Sequence, residues 1–84
     1  MRLDKFLKVS RLIKRRTVAN DACDASRISV NGKIAKASYD VKLNDEITVT
    51  FGTKKVTVRV LDIKDTTKKS ESHGMYEVIS ETDA

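Results

Sequence analysis

The sequence predicts a small α+β domain, in which two N-terminal helices pack on a mainly antiparallel sheet of four to five strands. Apolar residues recur at helical spacing within residues 3–24, and they alternate with polar residues from residue 28 onward. The chain has 84 residues, a length that can bury one modest core and leaves little material for a deep cavity.

Residues 3–15 form the first predicted helix, or a helix followed by a turn. Leu3, Phe6 and Leu7 share helical spacing, and a second apolar set follows them. Because the phase of this pattern breaks at Ser10, that side chain is expected to cap a second short helical turn.

Thr17 is expected to open the second helix as its capping residue. The apolar face of this helix consists of small side chains, namely Val18, Ala19, Ala22 and Cys23. Such residues allow close packing against the first helix. Cys23 is the only cysteine, so we interpret it as a buried small apolar residue rather than a redox or metal ligand.

The Asn31-Gly32 pair lies between two short β-prone runs in residues 28–34. This pair suits a type I′ hairpin turn, in which both central residues need a positive φ. A loop is expected around residues 35–40, and Asn44-Asp45 predicts another turn.

The second half of the chain predicts three further strands, at residues 47–51, 56–60 and 75–79. The second of these is expected to continue to residue 63 after a bulge. The polar stretch 64–74 predicts a mobile loop. A single domain would therefore span residues 1–79, with a loose tail at 80–84.

Positive charge is concentrated at the N-terminal end of the chain. Residues 1–36 contain ten Lys or Arg and three Asp, a net charge of +7, whereas residues 37–84 have a net charge of −2. A concentrated positive field attracts polyanions. Solubility alone would not require this asymmetry, so a nucleic-acid partner is favoured.

The cations of this segment follow a pattern that suits phosphate binding. Four of them recur every third residue from Arg2 to Arg11, and such residues lie along one side of a helix. Arginine offers two donors to a phosphate at once, and lysine acts as a flexible point charge. The candidate RNA-binding residues are Arg2, Lys5, Lys8, Arg11, Lys14, Arg15, Arg16, Arg27, Asn31, Lys33 and Lys36.

Aromatic residues are few, and both phenylalanines, Phe6 and Phe51, are on predicted apolar faces. A stacking platform for single strands is therefore disfavoured, and recognition of folded RNA by shape is favoured. Tyr39 could contact RNA or cover the core. Asp4, in the first helical turn, is expected to interact with the helix N-terminus or to orient a neighbouring cation.

No pattern in the sequence favours catalysis, a cofactor or a metal. His73 is the only histidine and lacks a partner at fixed spacing, and three glycines provide no phosphate-binding loop. No run approaches the ~18 apolar residues of a membrane span. Charged residues directly after Met1 disfavour a signal peptide, and the lone cysteine fits a cytoplasmic protein.

Three segments in order carry a family resemblance: RLDKFL at residues 2–7, RRTVA at 15–19 and RISVNGK at 27–33. Together they resemble the RNA-binding domain of ribosomal protein S4, known as the alpha-L motif, over residues 1–51. The resemblance implies the alpha-L fold. Two departures from the family pattern are Ser26, where a glycine often ends the second helix, and Ala37, where a proline is frequent.

Within that family, a chain this short is similar to the heat-shock-protein-15-like group and, above all, to the RqcP (formerly YabO) group of bacterial ribosome-associated quality control. The resemblance implies an adaptor that contacts ribosomal RNA of the large subunit and peptidyl-tRNA. It also implies assistance to RqcH in adding C-terminal alanine tails. Arg2 and Arg16 match the family's RNA-contacting residues most directly, and the protein is expected to be a monomer off the ribosome.

Three alternatives remain open. One is a generic binder of structured RNA or a heat-shock-type ribosome recycling factor. The second is a targeting module of an enzyme, because similar domains are attached to pseudouridine synthases and tyrosyl-tRNA synthetases. The third is a general partner-binding or membrane-surface protein, which would need large apolar residues exposed on an amphipathic helix.

Overall fold

Two helices precede five strands in the computed structural model, which describes residues 1–63 and 72–83. The predicted α+β class is therefore confirmed. The predicted loop lies mostly outside the described residues, which resume in a single 3₁₀ turn at Ser72–Met75. The elements are α1 (Leu3–Val9), α2 (Arg16–Asp24), β1 (Ile28–Val30), β2 (Lys33–Ile34), β3 (Glu46–Phe51), β4 (Lys54–Val60) and β5 (Tyr76–Asp83).

The strands form one sheet in the order β2-β1-β3-β4-β5, and every neighbouring pair is antiparallel. In the register of β3 and β4, Ile47 lies opposite Val58. Both are fully buried, as are Phe6 and Leu7 of α1. One core therefore fills the space between the helices and one face of the sheet.

The start of the chain is tied to the loop before β3. The Leu3 amide donates to the Tyr39 carbonyl at 2.8 Å, and the Val41 amide donates to the Met1 carbonyl at 2.8 Å. The Met1 ammonium pairs with Asp40 at 2.7 Å. These contacts fix the backbone on both sides of the first cation, Arg2.

A short helix followed by a turn is found within residues 3–15, which is one of the two arrangements predicted for this segment. The helix ends at Val9, and Ser10 closes it: the Ser10 hydroxyl donates to the Leu7 carbonyl at 3.3 Å. The next residue, Arg11, has a φ of 64°, which no helix continues through. Ser10 was predicted to cap a second helical turn, and this prediction was wrong because the left-handed conformation of Arg11 breaks the helix. Ile13 reaches the core from the non-helical turn that follows.

The second helix begins at Arg16 rather than after a capping Thr17. Arg15 occupies the N-cap position with extended backbone angles and makes no side-chain cap. Ala19 and Cys23 are buried as predicted, but Val18 is 50% exposed. Val18 therefore lies on an edge of α2 that is open to solvent.

The helix α2 ends in a hydrogen-bonded motif that usually contains glycine. The Ser26 amide donates to the Cys23 carbonyl at 3.0 Å, and the Arg27 amide donates to the Ala22 carbonyl at 3.0 Å. This is the paired bonding of a Schellman motif. Ser26 adopts a φ of 60° within it, so the departure from glycine leaves the helix end intact but in a conformation that a side chain disfavours.

The predicted hairpin is confirmed, with a φ of 52° at Asn31 and 84° at Gly32. Later strands depart from expectation at their ends. β4 stops at Val60, and the irregularity in its pairing with β5 lies earlier, between Thr57 and Val58. β5 continues through residues expected to form a tail, because Ser80 pairs with Thr57 in the antiparallel register.

Candidate nucleic-acid interface

A buried carboxylate, that of Asp4, lies between the two helices. Its residue is 2% exposed. The Lys5 amide donates to Oδ1 at 2.8 Å, and Asn20 Nδ2 of α2 donates to Oδ2 at 3.3 Å. These bonds hold the carboxylate in one orientation and connect α1 to α2.

Two predicted RNA-binding residues converge on this carboxylate. Arg2 donates through Nε to Oδ1 at 3.2 Å and through its terminal nitrogen to Oδ2 at 3.3 Å. Arg16 Nε lies 3.5 Å from Oδ2. Both arginine side chains remain about half exposed. Asp4 therefore orients two guanidinium groups from separate segments while leaving part of each open to a ligand.

The electrostatics of this cluster favour an ionised Asp4. Burial by itself raises the pKa of the carboxyl group, but hydrogen bonds from Arg2, Asn20 and the Lys5 amide, together with the charge of Arg16, outweigh it. The pKa of Asp4 therefore lies below the ordinary value of 3.8. Two arginines and one carboxylate leave a net charge of +1 at a defined position on the surface.

Four cations were predicted to lie along one side of the first helix, and this prediction was wrong for the first and the last of them. Only Lys5 and Lys8 belong to α1, since Arg2 precedes the helix and Arg11 follows it in a left-handed turn. Lys8 and Arg11 are exposed, and Lys5 is partly buried. The helix is too short to carry the stripe that the three-residue spacing indicated.

The other cations are distributed around α2 and the hairpin. Lys14, Arg15 and Arg27 line a groove on the flank of α2 formed by Val18 and Ala22. Arg2 and Lys36 line a hollow on the flank that contains Asn20. Lys33 is exposed in the hairpin strand β2. The structure thus brings Arg2 and Arg16 together at one carboxylate and places a second cationic group across the helix.

Asn31, also a candidate, is bonded within the protein. Its Nδ2 donates to Asp45 Oδ1 at 3.1 Å, and its Oδ1 accepts from the Glu46 amide at 3.0 Å. Both ends of the amide thus connect the hairpin turn to the start of β3. A direct contact between Asn31 and RNA stays a prediction, and its observed bonds serve to position the hairpin.

Tyr39 belongs to the same network. Its hydroxyl donates to Asp45 Oδ2 at 2.9 Å, which, together with partial burial, raises the pKa of Tyr39 above 10.0. Burial raises the pKa of Asp45, but bonds from the Lys42 amide, Asn31 and Tyr39 bring it below 3.8. These contacts favour the interpretation of Tyr39 as a cover of the core.

Asn20 and Asp45 are the positioning residues that the sequence analysis did not single out. Asn20 lies four residues after Arg16, and residues at that spacing share a helix face. That spacing was the available signal for Asn20. Asp45 had no signal beyond its place in a turn, because Asn31 and Tyr39, which donate to it along with the nearby Lys42 amide, belong to other loops.

Two further findings concern other classes of site. Within residues 1–63 and 72–83, His, Cys, Asp and Glu side chains form no group of three that could hold a metal ion. In the same residues, neither helix is long and apolar enough to cross a membrane.

Comparison with known proteins gives consistent matches. Residues 1–47 match the family model described as the S4 domain. The RQC P-site tRNA stabilizing factor of Bacillus subtilis is 64% identical over 81 residues, covering 96% of this chain and 94% of that protein. The protein of the same name from Streptococcus pneumoniae is 60% identical over 82 residues, covering 98% of this chain and 93% of that protein.

A solved structure has the same fold. Trimeric heat shock protein 15 of Vibrio cholerae matches with a TM-score of 0.88 at 28% identity, covering 95% of this chain and 82% of that chain. Its agreement extends over both helices and the sheet, because nearly the whole chain is covered.

Proposed function

The chain belongs to the S4 domain family and has its alpha-L fold, and on this premise we propose that it binds structured RNA on the large ribosomal subunit and stabilises P-site tRNA during ribosome-associated quality control. The observation that carries this proposal is the convergence of Arg2 and Arg16 on the buried Asp4. The names of the two relatives with 60% and 64% identity supply the ribosomal context.

The proposed mechanism is positional. Arg2 contacts Asp4 through Nε and one terminal nitrogen, and Arg16 contacts it through Nε, so each arginine keeps at least one terminal nitrogen to donate to phosphate oxygens. Because Asp4 fixes both groups before binding, less side-chain freedom is lost when a phosphate arrives. The two arginines would then clamp the sugar-phosphate backbone of folded RNA, while Lys5, Lys8 and Arg11 add attraction.

The finer parts of the proposal concern partners. The RNA would include ribosomal RNA and peptidyl-tRNA, and the factor would assist RqcH in alanine tailing without catalysing a reaction itself. It would act in the cytoplasm and be a monomer off the ribosome. Residues 37–84, which contribute β3, β4 and β5, have a net charge of −2, and these strands would contact a protein such as RqcH.

Sedimentation with ribosomes tests the proposal. Arg16→Glu is expected to abolish association with the large subunit, because it replaces the positive side chain beside Asp4 with a negative one. Its circular dichroism spectrum is expected to be unchanged. Lys55→Glu is the matched control, since this exposed residue of β4 undergoes the same charge reversal far along the sequence from the helices. Sedimentation of folded Arg16→Glu at the wild-type level would contradict the proposal.

A second candidate function is that of a heat-shock-type ribosome recycling factor, which the likeness to heat shock protein 15 favours. The two candidates differ in the ribosomal particle that the protein binds. Isolation of the protein from cells with its ribosomal fraction, followed by probing for peptidyl-tRNA and RqcH, separates them. A fraction containing both supports the quality-control function, and a fraction without RqcH supports the alternative.

A further inference from the structure

An open groove of about 700 Å³ lies along α2 on the flank formed by Val18 and Ala22, which is distinct from the flank that carries Arg16 and Asn20. Its apolar surface includes Val18 and Phe51, the last residue of β3. Val18 is 50% exposed and Phe51 is 43% exposed. An aromatic ring and an aliphatic side chain are thus open to a ligand in the same groove.

Phe51 is exposed although it belongs to the apolar face of β3. It follows Ile47 and Val49 at a spacing of two, so it is on the core face of the sheet. Ile47 and Val49 are buried, whereas Phe51, at the end of β3, lines the open groove. The sequence placed both phenylalanines on apolar faces, yet only Phe6 is buried.

Three cations surround this apolar surface: Lys14, Arg15 and Arg27. All three are exposed. The backbone of Arg27 is tied to β3, because its carbonyl accepts at 3.0 Å from the amide of Thr50, the residue before Phe51. This bond holds the backbone of Arg27 beside the end of β3, and its exposed side chain lines the same groove as Phe51.

This combination fits a nucleotide better than it fits an apolar peptide. A base presents a flat face that stacks on aromatic rings, and the phosphates on either side of it are anionic. In folded RNA, unpaired bases of bulges and loops can be turned outward to make such contacts. An apolar protein side chain would use the ring but would gain nothing from three cations around it.

We propose that this groove binds one unpaired nucleotide of a folded RNA, with its base against Phe51 and Val18 and its phosphates against Arg15 and Arg27. The inference rests on the proposed RNA-binding function and extends it. Recognition then has two parts: phosphate contacts at Arg2 and Arg16, and a base-dependent contact on the other flank of α2.

Two RNA hairpins test the inference in binding titrations. One is fully paired, and the other is identical except for a single bulged 2-aminopurine nucleotide, whose fluorescence reports stacking. The wild-type protein is expected to bind the bulged hairpin about tenfold more tightly, within the range that stacking of one base contributes. The 2-aminopurine fluorescence is expected to fall on binding.

Variants separate the groove from the arginine cluster. Phe51→Ala is expected to bring the ratio of the two affinities close to one without weakening binding of the paired hairpin, and Val18→Ser provides a second test should Phe51→Ala lose its circular dichroism spectrum. Arg16→Ala is expected to weaken both hairpins in equal proportion. Leu43→Ala is the matched control, because Leu43 is another exposed large apolar residue and does not line the groove.

Each result has a defined meaning. Equal binding of the two hairpins by the wild-type protein, or an unchanged ratio in folded Phe51→Ala and Val18→Ser, would overturn the nucleotide site and leave RNA binding itself in place. The unchanged ratio is also the result expected if the groove accepts a protein side chain. Failure of the wild-type protein to bind either hairpin would instead overturn the proposed function.

Discussion

Arg16 of α2 lies 3.5 Å from the carboxylate of Asp4 in α1, across the interface of the two helices. The carboxylate is buried, whereas the guanidinium is about half exposed. An ion pair between exposed side chains contributes little to stability, but a buried partner that accepts several hydrogen bonds fixes geometry. The pair therefore links the packing of the helices to the direction in which Arg16 points.

The first prediction concerns Asp4→Asn. This change raises the net charge by one, so attraction to RNA alone would strengthen binding. We expect weaker binding, by roughly three- to tenfold, because Arg2 and Arg16 lose the carboxylate that orients them. The loss of charged hydrogen bonds is expected to lower the free energy of unfolding by about 1–3 kcal/mol. RNA titration and urea denaturation measure the two effects.

The control for this prediction is Glu81→Gln, which raises the net charge equally at an exposed position of β5. It should leave RNA affinity unchanged or slightly improved. If Asp4→Asn behaved like this control, Asp4 would have no part in positioning the arginines.

The second prediction is that Arg11→Gly has opposite effects on folding and on RNA binding. Arg11 has a φ of 64°, and a glycine adopts that conformation more readily. We expect the free energy of unfolding to rise by about 1 kcal/mol. The exposed cation is lost, so RNA affinity should fall and the salt slope should decrease in magnitude by about 0.7–0.9.

Arg11→Ala distinguishes these effects, because it removes the cation but keeps a side chain in the left-handed conformation. It should lower RNA affinity as much as Arg11→Gly and bring no gain in stability. An unchanged affinity in both variants would show that Arg11 makes no contribution to RNA binding.

The third prediction concerns Ser26, which has a φ of 60° at the end of α2. Ser26→Gly is expected to raise the free energy of unfolding by about 1 kcal/mol, since the Schellman motif favours glycine there. The hydrogen bond from the Arg27 amide to Ala22 is retained, so RNA affinity should not change. Ser26→Ala, the control, should give no stabilisation in the same urea titration.

Several features of the fold and of the candidate site that depend on neighbouring residues in the sequence were predicted correctly. Asn31-Gly32 predicted its turn because two adjacent residues determine it. The family, predicted from three short segments, is confirmed by the match to residues 1–47. The expectation that Asp4 orients a neighbouring cation is confirmed for Arg2, two residues away.

Other features depend on packing between distant segments, which local patterns do not report. Asp4 reaches Arg16 twelve residues later because α2 packs against α1, and no spacing rule gives that contact. The sequence left open whether the first helix continues to residue 15, because Ile13 is buried from a turn and its apolar character imitates a longer helix. Phe51 follows the alternation of β3, but this alternation does not report that its side chain is left 43% exposed.

The fourth prediction concerns stability in acid. The pKa values of Asp4 and Asp45 in the folded protein lie below 3.8, so the folded state favours their ionised forms more than the unfolded state does. Their contribution to stability is complete above that pH and is lost as the pH falls through the lower folded-state values. The urea midpoint should therefore change little between pH 7 and 5 and should decrease steeply below 3.8.

Replacement of either carboxyl group should weaken this acid dependence. Asp45→Asn keeps an oxygen acceptor for Tyr39 but no longer titrates, so its urea midpoint should be lower at neutral pH and should fall less between pH 4 and 2. A wild-type midpoint that is flat down to pH 2 would contradict the lowered pKa values.

The fifth prediction concerns Cys23, which is 4% exposed on the core face of α2. Burial, with smaller effects from Asp4 and Asp24, raises the pKa of its thiol from 9.0 to about 11, which reduces the thiolate fraction at pH 8 about a hundredfold. The thiolate is the form that attacks disulfide reagents, so the native protein should react far more slowly than the protein in urea. Rapid reaction without denaturant would show that α2 separates readily from the sheet. In that case α2 would not be a rigid support for Arg16 on one of its flanks and Val18 on the other.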